Sequence, residues 1–192
     1  MNHLMHLFLS GSDPEILVGN LMGDFVKGRL EERFPPGIQR GIEIHRKIDS
    51  FAAGNAFFLQ SKRCIDPCFG HFRAVLVDIF YDHFLARDWD SYSPLPLEEF
   101  IRISHQTLTR YQAQLPPRLL ELLPRMFSRH WLIAYQEPAG IEIALRRMSD
   151  RLARPNPLAE GFAELSKKGD VLLSDFRGFL PEVCAYTGSL MR

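Results

Sequence analysis

Apolar residues return every three or four positions along almost the whole chain, the spacing of helices with one buried face. No stretch alternates with period two for long enough to make a strand. Asp13-Pro14 reads as a cap and first turn, leading into "EILVGNLMGDFVKG", a helical run that closes at Gly28. "FPPG" marks a turn. After it, "IQRGIEIHRKIDSFA" predicts a helix with Ile38, Ile42, Ile48 and Phe51 on its core face. A break at Gly54-Asn55 separates this helix from a shorter one through about Cys64, and "DPCFG" is a loop. From about His71 to Arg87 the chain is apolar all round, as a central helix would be.

"SYSPLPLEEF" opens a helix from about Leu97 to Gln112. "LPPRLLELLPRMFSRHWLIAYQ" predicts another, kinked at Pro124, and "EPAGIEIALRRMSDRLA" a third with Pro138 in its first turn. "RPNP" is a loop, and an amphipathic helix from about Lys168 to Arg192, interrupted at Pro181, closes the pattern. The expectation is all-α: one compact helical domain over residues 1–192.

Composition narrows this picture. Hydrophobic residues are 46% of the chain and charged residues 24%, ordinary for a globular protein. Basic and acidic residues balance at 23 each, so bulk charge predicts no nucleic-acid binding. No apolar run approaches the roughly 18 residues of a spanning helix. The stretch "MNHLMHLFLS" lacks a basic region and a clear cleavage site, so it reads as part of the fold of a cytoplasmic protein. Cys64, Cys68 and Cys184 suggest no disulfide framework and read as reduced thiols. Oligomeric state is left open.

The charge is uneven along the chain. Residues 27–73 carry nine Lys or Arg against five acids, whereas residues 74–99 carry one Arg against six acids. Three polar groups of that acidic segment, Asp78, Asp82 and His83, interrupt the apolar run "DIFYDHFLA". Buried carboxylates are costly unless paired, hydrogen-bonded or bound to a cation. Asp24 lies in "GNLMGDFVKG", and His45 with Asp49 in "HRKID". His45–Asp49 and Asp78–Asp82 are both i,i+4 steps, which stack side chains on one helix face. Two such pairs on facing helices, with Asp24 from a third, can converge on one divalent cation. Carboxylates with a few imidazoles suit Mn²⁺ or Mg²⁺ and, with more nitrogen, Fe²⁺ or Zn²⁺.

His6 is a further candidate in an apolar segment, or else a satisfied core histidine; His3, His71, His105 and His130 read as solvated or structural. There is no Gly-x-Ser-x-Gly elbow and no glycine-lysine phosphate loop.

At this point the chain resembles the acyl carrier protein phosphodiesterases. "MNHLMHLFLS", "GNLMGDFVKG", "FPP", "GIEIHRKID" and "DIFYDHFLARDW" follow that family's order and spacing over roughly residues 1–89. The resemblance implies a compact all-α fold distantly related to the HD-type metal phosphohydrolases. It implies hydrolysis of the phosphodiester between 4′-phosphopantetheine and a serine of holo-acyl carrier protein, with Mn²⁺ or another divalent cation such as Mg²⁺ or Fe²⁺. Asp24, His45, Asp82 and His83 would then hold the metal, with Asp49 and Asp78 as further ligands or as groups that orient them. Asp24 and His6 would be catalytic, His6 as proton donor to the leaving serine. Carrier proteins are acidic, so Lys27, Arg29, Arg33, Arg40, Arg46 and Lys47 would form the docking face.

The chain departs from the family where a Thr-Asp step and a histidine are common, carrying Ala52, Ala53, Asn55 and Ala56, and Phe8 replaces a histidine. Two alternatives follow: a related enzyme for another small phosphodiester or nucleotide, or a helical protein that binds the carrier without cleaving it.

Overall fold

The computed structural model describes residues 1–30, 33–128 and 131–192. Among them are ten α-helices and no strand, so the all-α expectation holds. They are α1 (His3–Phe8), α2 (Pro14–Met22), α3 (Pro36–Gly54), α4 (Ala56–Cys64), α5 (Phe72–Arg87), α6 (Leu97–Arg110), α7 (Pro117–Ser128), α8 (Trp131–Ala134), α9 (Pro138–Asp150) and α10 (Phe162–Met191).

The apolar helix α5 is the hub. Residues 76 and 77 and all those from Ile79 to Ala86 are buried, and α1, α4, α9 and α10 pack against it. Asp13 caps α2 as its spacing predicts, accepting from the amides of Glu15 and Ile16. Helix α2 ends at Met22, however, and continues only as a 3₁₀ turn, Gly23–Phe25. Helix α10 starts at Phe162 rather than Lys168, and Pro181 lies inside it without ending it. Pro181 and Arg177, whose carbonyl the proline leaves without a helical donor, both face solvent, so water can satisfy that group. The run from Leu115 to Gln136 holds α7, with Pro124 inside it, and the separate α8; its expected continuity across 129–130 falls outside the described residues, as does His130.

Two contacts place the functional end of the molecule. The first is the crossing of α2 and α3. A Cβ on Gly19 would collide with the Ile38 carbonyl, and one on Gly41 with the Ile16 carbonyl, so glycine at both positions lets the backbones touch. The second is the seat of α1. Its cap residue Asn2 makes no side-chain cap bond. Instead the buried carboxylate of Asp82, on α5, accepts from the amides of Leu4 (3.0 Å) and Met5 (2.9 Å). These are amides that a helix start leaves without partners. A carboxylate from across the fold therefore caps α1 and fixes it on α5.

Candidate metal centre

His6 on α1 and His45 on α3 stack face to face, ring centroids 3.8 Å apart and planes 17° from parallel. The approach of α3 depends on Gly23, where a Cβ would overlap the His45 ring. Asn20 fixes both rings. Its Nδ2 donates to the His6 carbonyl (2.9 Å) and to Ser10 Oγ (3.0 Å). That leaves Oδ1 as the acceptor facing His6 Nδ1 at 2.9 Å. The Asn20 backbone carbonyl faces His45 Nδ1 at 2.7 Å. Both Nδ1 atoms must then carry hydrogen, and the remaining nitrogens point the other way.

They point at one carboxylate. His6 Nε2 lies 3.2 Å from Asp49 Oδ1, and His45 Nε2 lies 3.2 Å from Asp49 Oδ2. Donor atoms of His6, His45 and Asp49 all fall within 4.8 Å of one another. Asp24, in the 3₁₀ turn, adds a carboxylate oxygen 3.6 Å from His45 Nε2, and its side chain is 45% exposed. The terminal ammonium of Met1 lies 2.8 Å from Asp49 Oδ1 and 3.5 Å from Asp78 Oδ1. That Asp78 oxygen is buried without a hydrogen-bond partner.

The electrostatics follow from this crowding. Burial alone would lower the His45 pKa, but Asp24 and Asp49 outweigh it and raise it to about 9. His6, more deeply buried and beside His45, falls to about 4. Burial would raise Asp24 and Asp49; the histidines hold Asp24 down near 2, and with the Met1 ammonium they hold Asp49 far below the usual carboxylate range. Burial, with Asp49 nearby, pushes Asp78 up to about 6. Lone pairs on two imidazoles converging on a carboxylate repel unless a proton or a cation lies between them. Two imidazole nitrogens, the Asp49 oxygens, Asp24 at the rim and the unbonded Asp78 oxygen make a donor set that fits a divalent ion.

The sequence-predicted residues divide accordingly. His45, Asp49 and Asp24 come together, with His6 beside them and Asp78 at the edge. Asp82 and His83 do not join them through side-chain contacts. Asp82 is committed to the α1 amides, and burial, only partly offset by those amides, lifts its pKa to about 7. His83 follows it by one residue, about 100° round the helix, and its Nδ1 faces the Tyr135 carbonyl at 2.7 Å. Asn20 escapes a reading of the sequence, although an asparagine within "ILVGNLM" is a polar residue in an apolar run. The basic residues are all exposed. Arg40 donates to the Leu190 carbonyl, and Arg46 to those of Val26 and Gly28.

The departures also find structural places. Ala52 is buried in the core. Asn55 caps α4 through Phe57 and Phe58 and bonds Glu182 at 2.6 Å. Phe8 packs edge-on against Trp89.

Fold and site together define an all-helical protein with a histidine–carboxylate centre gathered at the junction of α1, α2 and α3. The chain belongs to the acyl carrier protein phosphodiesterase family, whose family model matches residues 1–183. It is 32% identical over 193 aligned residues to the acyl carrier protein phosphodiesterase of Escherichia coli O139:H28, covering 96% of each chain. It is 34% identical over 184 residues to that of Klebsiella pneumoniae strain 342, covering 95% of each. No solved structure matches the chain. No helix among the described residues is long and apolar enough to cross a membrane.

Proposed function

We propose that this protein is a metal-dependent phosphodiesterase that hydrolyses the bond between 4′-phosphopantetheine and a serine of holo-acyl carrier protein, in the cytoplasm. The observation that carries the metal is the convergence of His6 Nε2 and His45 Nε2 on Asp49, with both Nδ1 atoms already committed to Asn20. The substrate rests on family membership over nearly the whole chain.

His6, His45, Asp49 and Asp24 would hold the ion, with Asp78 reaching it directly or setting the charge beside it. Mn²⁺ suits this mixed nitrogen and oxygen set, and Mg²⁺ or Fe²⁺ are the alternatives. Such an ion acidifies water and neutralises charge on a phosphoryl oxygen. In the hydrolysis a water oxygen bonds to phosphorus, the bond from phosphorus to the serine oxygen breaks, and that oxygen takes a proton. His6 is 1% exposed and has both ring nitrogens engaged, which favours a ligand over a proton donor to the leaving serine. We place it among the ligands rather than as the proton donor. Asp24, ionised and open to solvent at the rim, is the carboxylate best placed to meet substrate and water.

Carrier-protein docking falls to the exposed basic residues Lys27, Arg29, Arg33, Arg40, Arg46 and Lys47. Arg46 and Lys47 follow His45 directly, and Arg40 and Lys47 line a groove of about 640 Å³ with Leu190. The decisive experiment is mass spectrometry of holo-acyl carrier protein incubated with the protein, with Mn²⁺ or with chelator. Metal-dependent loss of the phosphopantetheine mass supports the reading; an intact holo-carrier under both conditions overturns it.

A further inference from the structure

Asp24 belongs to two places at once. It faces His45, and it also lines a cavity of about 380 Å³ with His3, Glu121, Arg118, Arg125 and Arg151. Three guanidinium groups from α7 and the end of α9 therefore gather beside the cation centre. All three residues are exposed, and none forms an ion pair among the described residues; Arg151 donates only to the Arg147 carbonyl. Three guanidinium groups outnumber the two carboxylates, Asp24 and Glu121, around this concavity, and guanidinium forks match phosphate oxygens.

The cavity does not stop there. A second, of about 470 Å³, shares Leu122, Arg125 and Arg151 with it and runs on over Trp131, Ala134 and Ile143. His3 touches the Trp131 ring edge-on at 5.9 Å, so one aromatic contact links the two cavities. Ile143 is 49% exposed, a large apolar side chain without cover. The order is thus cation centre, arginines, then a wall of Trp131, Ala134, Ile143 and Ala144 that also carries Arg147 and Asp150.

We propose that these joined cavities seat the phosphopantetheine group of the substrate, with Arg118, Arg125 and Arg151 gripping its phosphate and the arm lying over Trp131, Ala134 and Ile143. The inference rests on the reaction proposed above. A phosphate followed by a flexible chain with branched methyl groups and amides has the same order of chemistry as the cavities. The C-terminal half of the chain thereby gains a part in the reaction, because the centre comes from residues before α6 and the grip from residues after it.

The test uses full-length, Mn²⁺-loaded protein and calorimetric binding of free 4′-phosphopantetheine, pantetheine without phosphate, and apo-acyl carrier protein. Holo-carrier cleavage by the unsubstituted protein is followed in parallel. Arg118→Gln and Arg151→Gln are expected to weaken phosphopantetheine binding about tenfold each, with pantetheine and apo-carrier binding and metal content unchanged. Ile143→Trp, which fills the second cavity from the surface, is expected to weaken both phosphopantetheine and pantetheine. If the unsubstituted protein cleaves holo-carrier but the arginine variants bind phosphopantetheine as tightly as it does, the cavity assignment falls and the reaction stands. If the arginine variants lose apo-carrier binding instead, the arginines dock the protein and the assignment also falls. Arginine-dependent phosphopantetheine binding without holo-carrier cleavage would keep the pocket and sink the reaction.

Discussion

His6 and His45 face each other at 3.8 Å and share one carboxylate, each ring presenting Nε2 to a different oxygen of Asp49. Removing that carboxylate separates the two rings from their common partner. Asp49→Ala should lose bound Mn²⁺ and, with it, turnover. Metal analysis of the purified variant checks this, and full occupancy would place the ion elsewhere.

Asp24 sits at the rim with a carboxylate open to solvent, so its loss should leave packing untouched. Asp24→Ala is expected to abolish turnover while the far-ultraviolet circular dichroism stays that of the parent. Unchanged turnover would move the centre away from this turn.

Asp82 has a different duty, and its loss should register in stability first. Asp82→Ala leaves two buried amides of α1 without acceptors, at a cost of about 2–4 kcal/mol. Urea unfolding measures it. By contrast His83→Gln should retain metal, because its neighbours are the Tyr135 carbonyl and the core. A His83 variant that folds but binds no metal would restore His83 to the ligand set.

The two stacked histidines give metal-free protein opposite pH limbs. His45 rises from 6.5 to about 9 on folding, so the folded state holds an extra proton between those values. Its contribution is complete below pH 6.5 and is lost as pH climbs through 9. His6 falls to about 4, so its contribution is complete above 6.5 and is lost as pH drops through 4. In chelator the melting temperature should peak near neutrality, and His45→Gln should flatten the alkaline limb. A parent protein with no loss between pH 6.5 and 9 would show that His45 does not share its proton with Asp24 and Asp49.

Gly23→Ala tests the approach of α3. The new methyl would meet the His45 ring, which must turn away from Asp49. Overpacking of this kind costs about 1–3 kcal/mol, and metal affinity should fall with it. An alanine variant with native metal affinity would show that the ring has room to yield.

Much of this is legible in the sequence, for reasons that also mark where legibility ends. Helical spacing gives the class, and Asp13-Pro14 gives the start of α2, because periodicity and capping are local. The His45–Asp49 step is legible as a shared helix face. Asp82 is legible only as a buried carboxylate in need of a partner. Sequence spacing does not distinguish a cation from the unpaired amides of another helix, and the partner lies 77 residues away at Met5. His83 enters the expected ligand set through the family resemblance, and spacing does not reveal that its Nδ1 faces the Tyr135 carbonyl 52 residues away. Pro181 reads as a break because its solvent-facing carbonyl partner is a tertiary fact.

The capping of α1 by Asp82 also makes the seat of His6 depend on a helix that follows it in the chain. The leading amides of the helix that carries His6 have no side-chain acceptor until α5 has been made. Closing a loop of that length costs about 4 kcal/mol of chain entropy, which the packing of α1 on α5 must recover. During synthesis, therefore, Asn20, His45 and Asp49 can be in place on α2 and α3 before α5 fixes the helix that carries His6.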